Sequence, residues 1–160
     1  MKIRYKKQND NFRCGPVALL NAMKWAGARV SYKDWIDYLC ALCNCYDSKG
    51  TKYPDLIKAF RACSKGLFSF KQVDFPSLKE IQNHIRKEGA VVLLHETYIL
   101  PRNFHASLLI GVGRRNDFAS INGYIVDSHR TIAFCSSKTI RERVINIQTI
   151  YFALFLTRKR

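Results

Sequence analysis

The longest stretch that is apolar on most sides comes early, in CGPVALLNAMKWA, residues 14–26. Val17, Ala18, Leu19, Leu20, Ala22, Met23 and Trp25 leave little room for a wet face, so the spacing predicts a central, buried helix. Pro16 suits a first turn, where a missing N–H costs nothing, and Gly27 suits the C-terminal exit. Ser31 and Asp34 have capping-box spacing and predict a second helix through about Cys43, with Trp35, Ile36, Leu39 and Leu42 as its apolar face. CYDSKGTKY reads as a loop. Pro54 opens a third, short helix in PDLIKAFRACS, with Leu56, Ile57 and Phe60 inward, and Gly66 closes it.

The period then changes. LFSFKQVDF alternates and predicts a strand. Pro76 predicts the start of a helix through Lys87, with Leu78, Ile81 and Ile85 on one side, His84 at its surface and Gly89 at its end. AVVLLHE is a short continuous apolar run, as a buried strand would be. HASLLIGVG and GYIVDS predict two further strands, with RRNDFASIN as the turn between them. SSKTIRERV predicts a short helix and IYFALFLTRK a final strand. Helices come first and a mainly antiparallel sheet follows, which is the α+β class. No repeat or linker interrupts the pattern, so residues 1–160 are expected to form one domain.

Composition narrows this only a little. A hydrophobic fraction of 48% and an aromatic fraction of 12% fit a globular chain. No apolar run reaches the ~18 residues of a membrane span. The basic start, MKIRYKKQND, is not followed directly by the apolar core of a signal peptide. Without such a signal, the six cysteines predict a reducing, cytoplasmic setting and free thiols. Cys40, Cys43 and Cys45 in CALCNC raise zinc, but the second ligand pair is missing, since Cys63 and Cys135 stand alone. No metal and no cofactor are expected. The formal charge of +15 has two equal readings: a well-solvated surface, or attraction to an acidic peptide or protein, a nucleic acid or an anionic surface.

The candidate chemistry lies in QNDNFRCGPVALL, residues 8–20. Cys14 falls where the first helix should begin, so unpaired N–H groups and the helix dipole can favour a thiolate there. A thiol nucleophile also needs a base, a group to orient that base, and a donor for the oxyanion. Of the four histidines, His84 belongs to a helix, His95 ends a strand, and His129 falls in a turn. His105 opens the strand HASLLIGVG. Asp127 ends YIVD, in what is expected to be the neighbouring strand. Each residue alone is ordinary; the order Gln8, Cys14, His105, Asp127 is what draws attention.

Gln8, the CGP at 14–16, the apolar helix ending in Gly27, HASLLIGV from His105 and IVD at Asp127 resemble the papain-like cysteine peptidase superfamily. The resemblance is to its C39-like branch, whose bacteriocin-processing members share Gln-x5-Cys-Gly near the N-terminus. GTKYPDLIKAF also resembles the part of that branch after the second helix. The resemblance implies Cys14 as nucleophile, its own N–H and the Gln8 amide as oxyanion donors, His105 as base and then acid, and Asp127 as its orienting partner. It implies a thiol hydrolase acting on a peptide or isopeptide bond through an acyl-enzyme. An acyltransferase with the same triad, and a basic binding module on an inactive scaffold of this kind, are the alternatives. The sequence departs from the branch at Arg13, where an acidic residue is usual, and at Ser128-His129, where a proline usually follows the aspartate. No transporter segments follow, and Gln8 and Cys14 lie so near Met1 that no pro-segment is expected.

Overall fold

The computed structural model describes residues 3, 5–6, 10, 12–46, 49–96, 104–112, 118–120, 133–135 and 150–160. Four helices and six strands lie among them: α1 (Cys14–Trp25), α2 (Tyr32–Leu42), α3 (Tyr53–Cys63), β1 (Phe68–Asp74), α4 (Leu78–Glu88), β2 (Ala90–Glu96), β3 (Phe104–Val112), β4 (Phe118–Ser120), β5 (Ala133–Cys135) and β6 (Ile150–Arg158). The strands form one sheet in the order β1-β6-β2-β3-β4-β5, every pairing antiparallel. This is the expected α+β layout.

The sheet is covered on both faces, because alternate residues of its central strands point to opposite sides. Ala90, Val92, Ala106, Leu108, Phe152, Leu154 and Leu156 join the main core with α1, α2 and α3. Eleven of the twelve residues of α1 are buried, so this helix is wrapped on nearly every side. Val91, Leu109 and Ala153 are buried on the other face, where α4 packs against β2, β3 and β6 and contributes Ile81 and Ile85.

Ser31 accepts the Asp34 N–H at 3.2 Å and donates to the Asp34 carboxylate at 2.5 Å, which starts α2 as its spacing predicts. The start of α4 differs from expectation. Pro76 lies before the cap, and Ser77 closes a full capping box with Glu80: the Glu80 N–H reaches Ser77 Oγ at 3.1 Å and the Ser77 N–H reaches Glu80 Oε2 at 2.7 Å. Pro76 disfavours a helical residue before it and the serine then supplies the missing acceptor, so the boundary moves inward. The Ser77→Ala protein should lose about 1 kcal/mol, read from its urea midpoint. The Ser77 N–H and hydroxyl hold the Glu80 carboxyl below the usual range, so this contribution is present above that range and fades as pH falls through it.

Two other expectations are corrected. His84 is half-buried rather than at the surface: its Nε2 lies 2.8 Å from the Leu156 carbonyl oxygen and its ring stacks on Phe155 at 4.6 Å. Standing next to Ile85 and three residues after Ile81, it shares the side of α4 that faces β6. Within RRNDFASIN, Phe118–Ser120 is a strand paired with β3 through a register shift between Leu109 and Gly111, not only a turn. The bulge lets a short strand pair where the sequence has no clean alternation. β5, Ala133–Cys135, carries no signal in the sequence that was read as a strand. The strand expected over GYIVDS and the helix over SSKTIRERV lie outside the described residues.

Candidate active site

Cys14 is the first residue of α1. Arg13 at the cap position supplies no side-chain cap, and the first turn carries no acidic residue. The positive end of the helix is therefore left open to a thiolate. Capping is transferred upstream to Asp10, whose Oδ1 accepts the Phe12 N–H at 3.1 Å and the Arg13 N–H at 2.8 Å. This turn fixes the backbone that delivers Cys14.

Arg13, the residue that departs from the C39-like pattern, has a structural task. Its Nη1 donates to the Tyr32 hydroxyl at 3.3 Å and stands 3.6 Å from Asp10 Oδ2. It ties the turn before Cys14 to the start of α2. An acidic residue at 13 would repel Asp10 rather than pair with it.

Gly15 is required by close packing. A β-carbon there would stand 2.7 Å from Thr51 Oγ1, 3.0 Å from Thr51 Cβ and 3.3 Å from Leu56 Cδ1. The loop before α3 thus lies directly on the helix start. The Gly15→Ala protein should lose about 1–3 kcal/mol in urea unfolding, since the Thr51 β-carbon as well as its hydroxyl would have to move aside.

Cys14 is 8% exposed. Burial pushes its thiol up; N–H groups of Ala106, Gly15 and Cys14 itself favour the anion and oppose that shift, and the Asp10 charge adds to it. Ala106 is on β3, so the sulfur sits against the strand that carries His105. His105 is the second residue of β3 and is the register partner of His95 on β2. The structure therefore brings the backbone of His105 within one residue of the Cys14 sulfur. Gln8, Asp127 and His129 lie outside the described residues.

Four further thiols among the described residues are free: Cys40, Cys43 and Cys45 are buried and Cys63 is half-buried. Among the described residues no group of three His, Cys, Asp or Glu side chains is placed to hold a metal ion, and no helix is long and apolar enough to cross a membrane. Sequence reasoning overlooked Asp10 and Thr51. The first had a usable signal, an Asx residue two positions before Phe12; the second, a threonine in a loop, had none.

No protein-family model matches the chain, and no curated protein sequence does either. Solved structures do. The peptidase domain of Streptococcus ComA, a bi-functional ABC transporter involved in a quorum-sensing pathway, matches with a TM-score of 0.67 at 20% identity, covering 98% of this chain and 100% of that one. The peptidase domain of Streptococcus mutans ComA matches with a TM-score of 0.56 at 14% identity, covering 94% and 96%. A C39-like peptidase from Bacillus anthracis matches with a TM-score of 0.65 at 9% identity, covering 99% and 96%. At these identities the likeness is one of fold. The chain has the C39-like form of the papain-like cysteine peptidase fold.

Proposed function

We propose that this chain is a thiol hydrolase that cleaves a peptide or isopeptide bond through an acyl-enzyme. The observation that carries this reading is the seating of Cys14: first residue of a buried helix, with the Ala106 N–H directed at its sulfur, one residue from His105. The peptidase domains with the same fold support a peptide as the substrate class.

A nearly buried thiol at the head of a helix has an electrostatic conflict. Burial disfavours the thiolate, while the helix end and three N–H groups favour it. A neighbouring base resolves the conflict by taking the proton. In this reading His105 does so, Cys14 attacks the carbonyl carbon, and the oxyanion is held by the Cys14 N–H and the Gln8 amide. His105 then protonates the leaving amine, and Asp127 keeps its ring oriented. Water finishes the cycle by attacking the thioester, with His105 again as base. A neutral amide at position 8 donates without competing for the thiol proton. The free, mostly buried cysteines fit a reducing compartment, and we place the chain in the cytoplasm.

The test is to react the protein separately with iodoacetamide and with an activated ester, using a Cys14→Ala control. Labelling should concentrate on Cys14, and the substitution should remove acylation by a factor of about 10³ or more. Even labelling of all six thiols, with acylation untouched by the substitution, overturns the reading. An amine acceptor that outcompetes water would make the enzyme an acyltransferase.

A further inference from the structure

Beside the start of α1 lies a pair of thiols that this chemistry does not use. At the end of α2 the backbone closes with the Cys45 N–H donating to the Cys40 carbonyl at 2.9 Å and the Asn44 N–H donating to the Ala41 carbonyl at 3.1 Å. Asn44 takes the left-handed conformation, φ 50°. This is the Schellman arrangement, which brings together the side chains of the residues joined by its outer hydrogen bond. Here those residues are Cys40 and Cys45, both buried, with their sulfurs close enough to act on one another.

Both thiols are wired to the approach to Cys14. Cys45 Sγ donates to the Phe12 carbonyl at 3.3 Å. Burial pushes the Cys40 thiol up, and the nearby Arg13 charge offsets that only in part. Phe12 and Arg13 are the two residues before Cys14, and the Arg13 carbonyl accepts the Val17 N–H at 3.0 Å to begin the helix. Cys43 belongs to the same buried group, and the Thr51 hydroxyl lies near both it and Cys45.

We propose that Cys40 and Cys45 form a peroxide-sensitive dithiol, whose closure to a disulfide loosens the approach to Cys14 and slows its acylation. The dithiol stands on its own; its effect on acylation rests on the function proposed above. Cys40, once deprotonated beside Arg13, attacks one oxygen of a peroxide. The O–O bond breaks, hydroxide leaves, and Cys40 becomes a sulfenic acid. The Cys45 sulfur then attacks the Cys40 sulfur, the S–O bond breaks, and the Cys45 proton leaves with the hydroxyl as water. Two electrons pass from the thiol pair to the peroxide. The bridge removes the S–H that held the Phe12 carbonyl.

Treating the Cys14→Ala protein with hydrogen peroxide and mapping its peptides should show Cys40 joined to Cys45, reversibly with a dithiol reductant. In the otherwise unaltered protein, the same treatment should slow acylation by the activated ester about tenfold more than it does in Cys45→Ser. The serine hydroxyl keeps a donor for Phe12 but cannot form the bridge. Loss of Cys14 itself to peroxide is common to both proteins and cancels. If Cys45→Ser does not fold, Cys40→Ser serves the same comparison. A link to Cys43 or Cys63, a link between molecules, or no link overturns the dithiol. A Cys40–Cys45 link with equal slowing in both proteins overturns the regulation. A protein that acylates in no state refutes the hydrolase reading and with it the regulatory effect, while the peptide map still decides the dithiol.

Discussion

Replacing His105 with alanine should lower turnover of an activated ester by about 10³-fold, the middle of the range for a lost general base. It should also move iodoacetamide labelling of Cys14 to higher pH. The sign follows from the site. Burial raises the thiol's proton affinity, and the N–H groups of Ala106, Gly15 and Cys14 offset it in part. A base beside the sulfur lets the anion form at lower pH; without it, burial prevails and labelling waits for more alkaline solution. The two readouts separate a base from a residue that merely holds the strand, since a structural loss would not move the labelling inflection upward. Unchanged turnover and an unmoved inflection would remove His105 from the mechanism. His95→Ala is the matched control, because His95 is the register partner of His105 in the same sheet.

The second large effect is on stability. In the Asn21→Ala protein, about 3 kcal/mol of folding free energy should be lost, with a fall in Tm of about 10 °C. Asn21 is fully buried in α1. Its Oδ1 accepts the Lys6 N–H and its Nδ2 donates to the Lys6 carbonyl, both at 2.8 Å. Alanine strands both backbone groups and leaves a gap in a helix wrapped on nearly every side. In the sequence Gln8 lies between two anchored points, Lys6 on Asn21 and Asp10 at the helix start. We therefore expect ester turnover in this variant to fall further than its folded fraction does. A urea midpoint within about 0.5 kcal/mol of the parent would show that the clamp is dispensable.

Read from the sequence alone, Asn21 was only a polar break in an apolar run. The pattern shows that the helix is buried but not that its one buried polar residue meets a main-chain segment fifteen residues away. His84 failed for a related reason. A histidine in a helix has no fixed side until the neighbouring strand is known, and here β6 supplies a carbonyl and a phenyl ring.

What the sequence determined by itself is local. The apolar run that begins at Cys14, the Ser31–Asp34 spacing, Pro54, and the shift to alternating strands after Gly66 specify α1 to α3 and the main strands, because helix caps and side-chain periods act over a few residues. The CGP motif alone settles no chemistry; only its order with Gln8, His105 and Asp127 carries the resemblance on which the proposed function draws. Only the tertiary structure decided the rest. It made Gly15 necessary through Thr51, gave Arg13 its partners in Asp10 and Tyr32, set the Cys14 sulfur against Ala106, and tied Cys45 to the Phe12 carbonyl. Most of these contacts join residues far apart in the chain, and no local pattern encodes which surfaces the sheet and helices will press together.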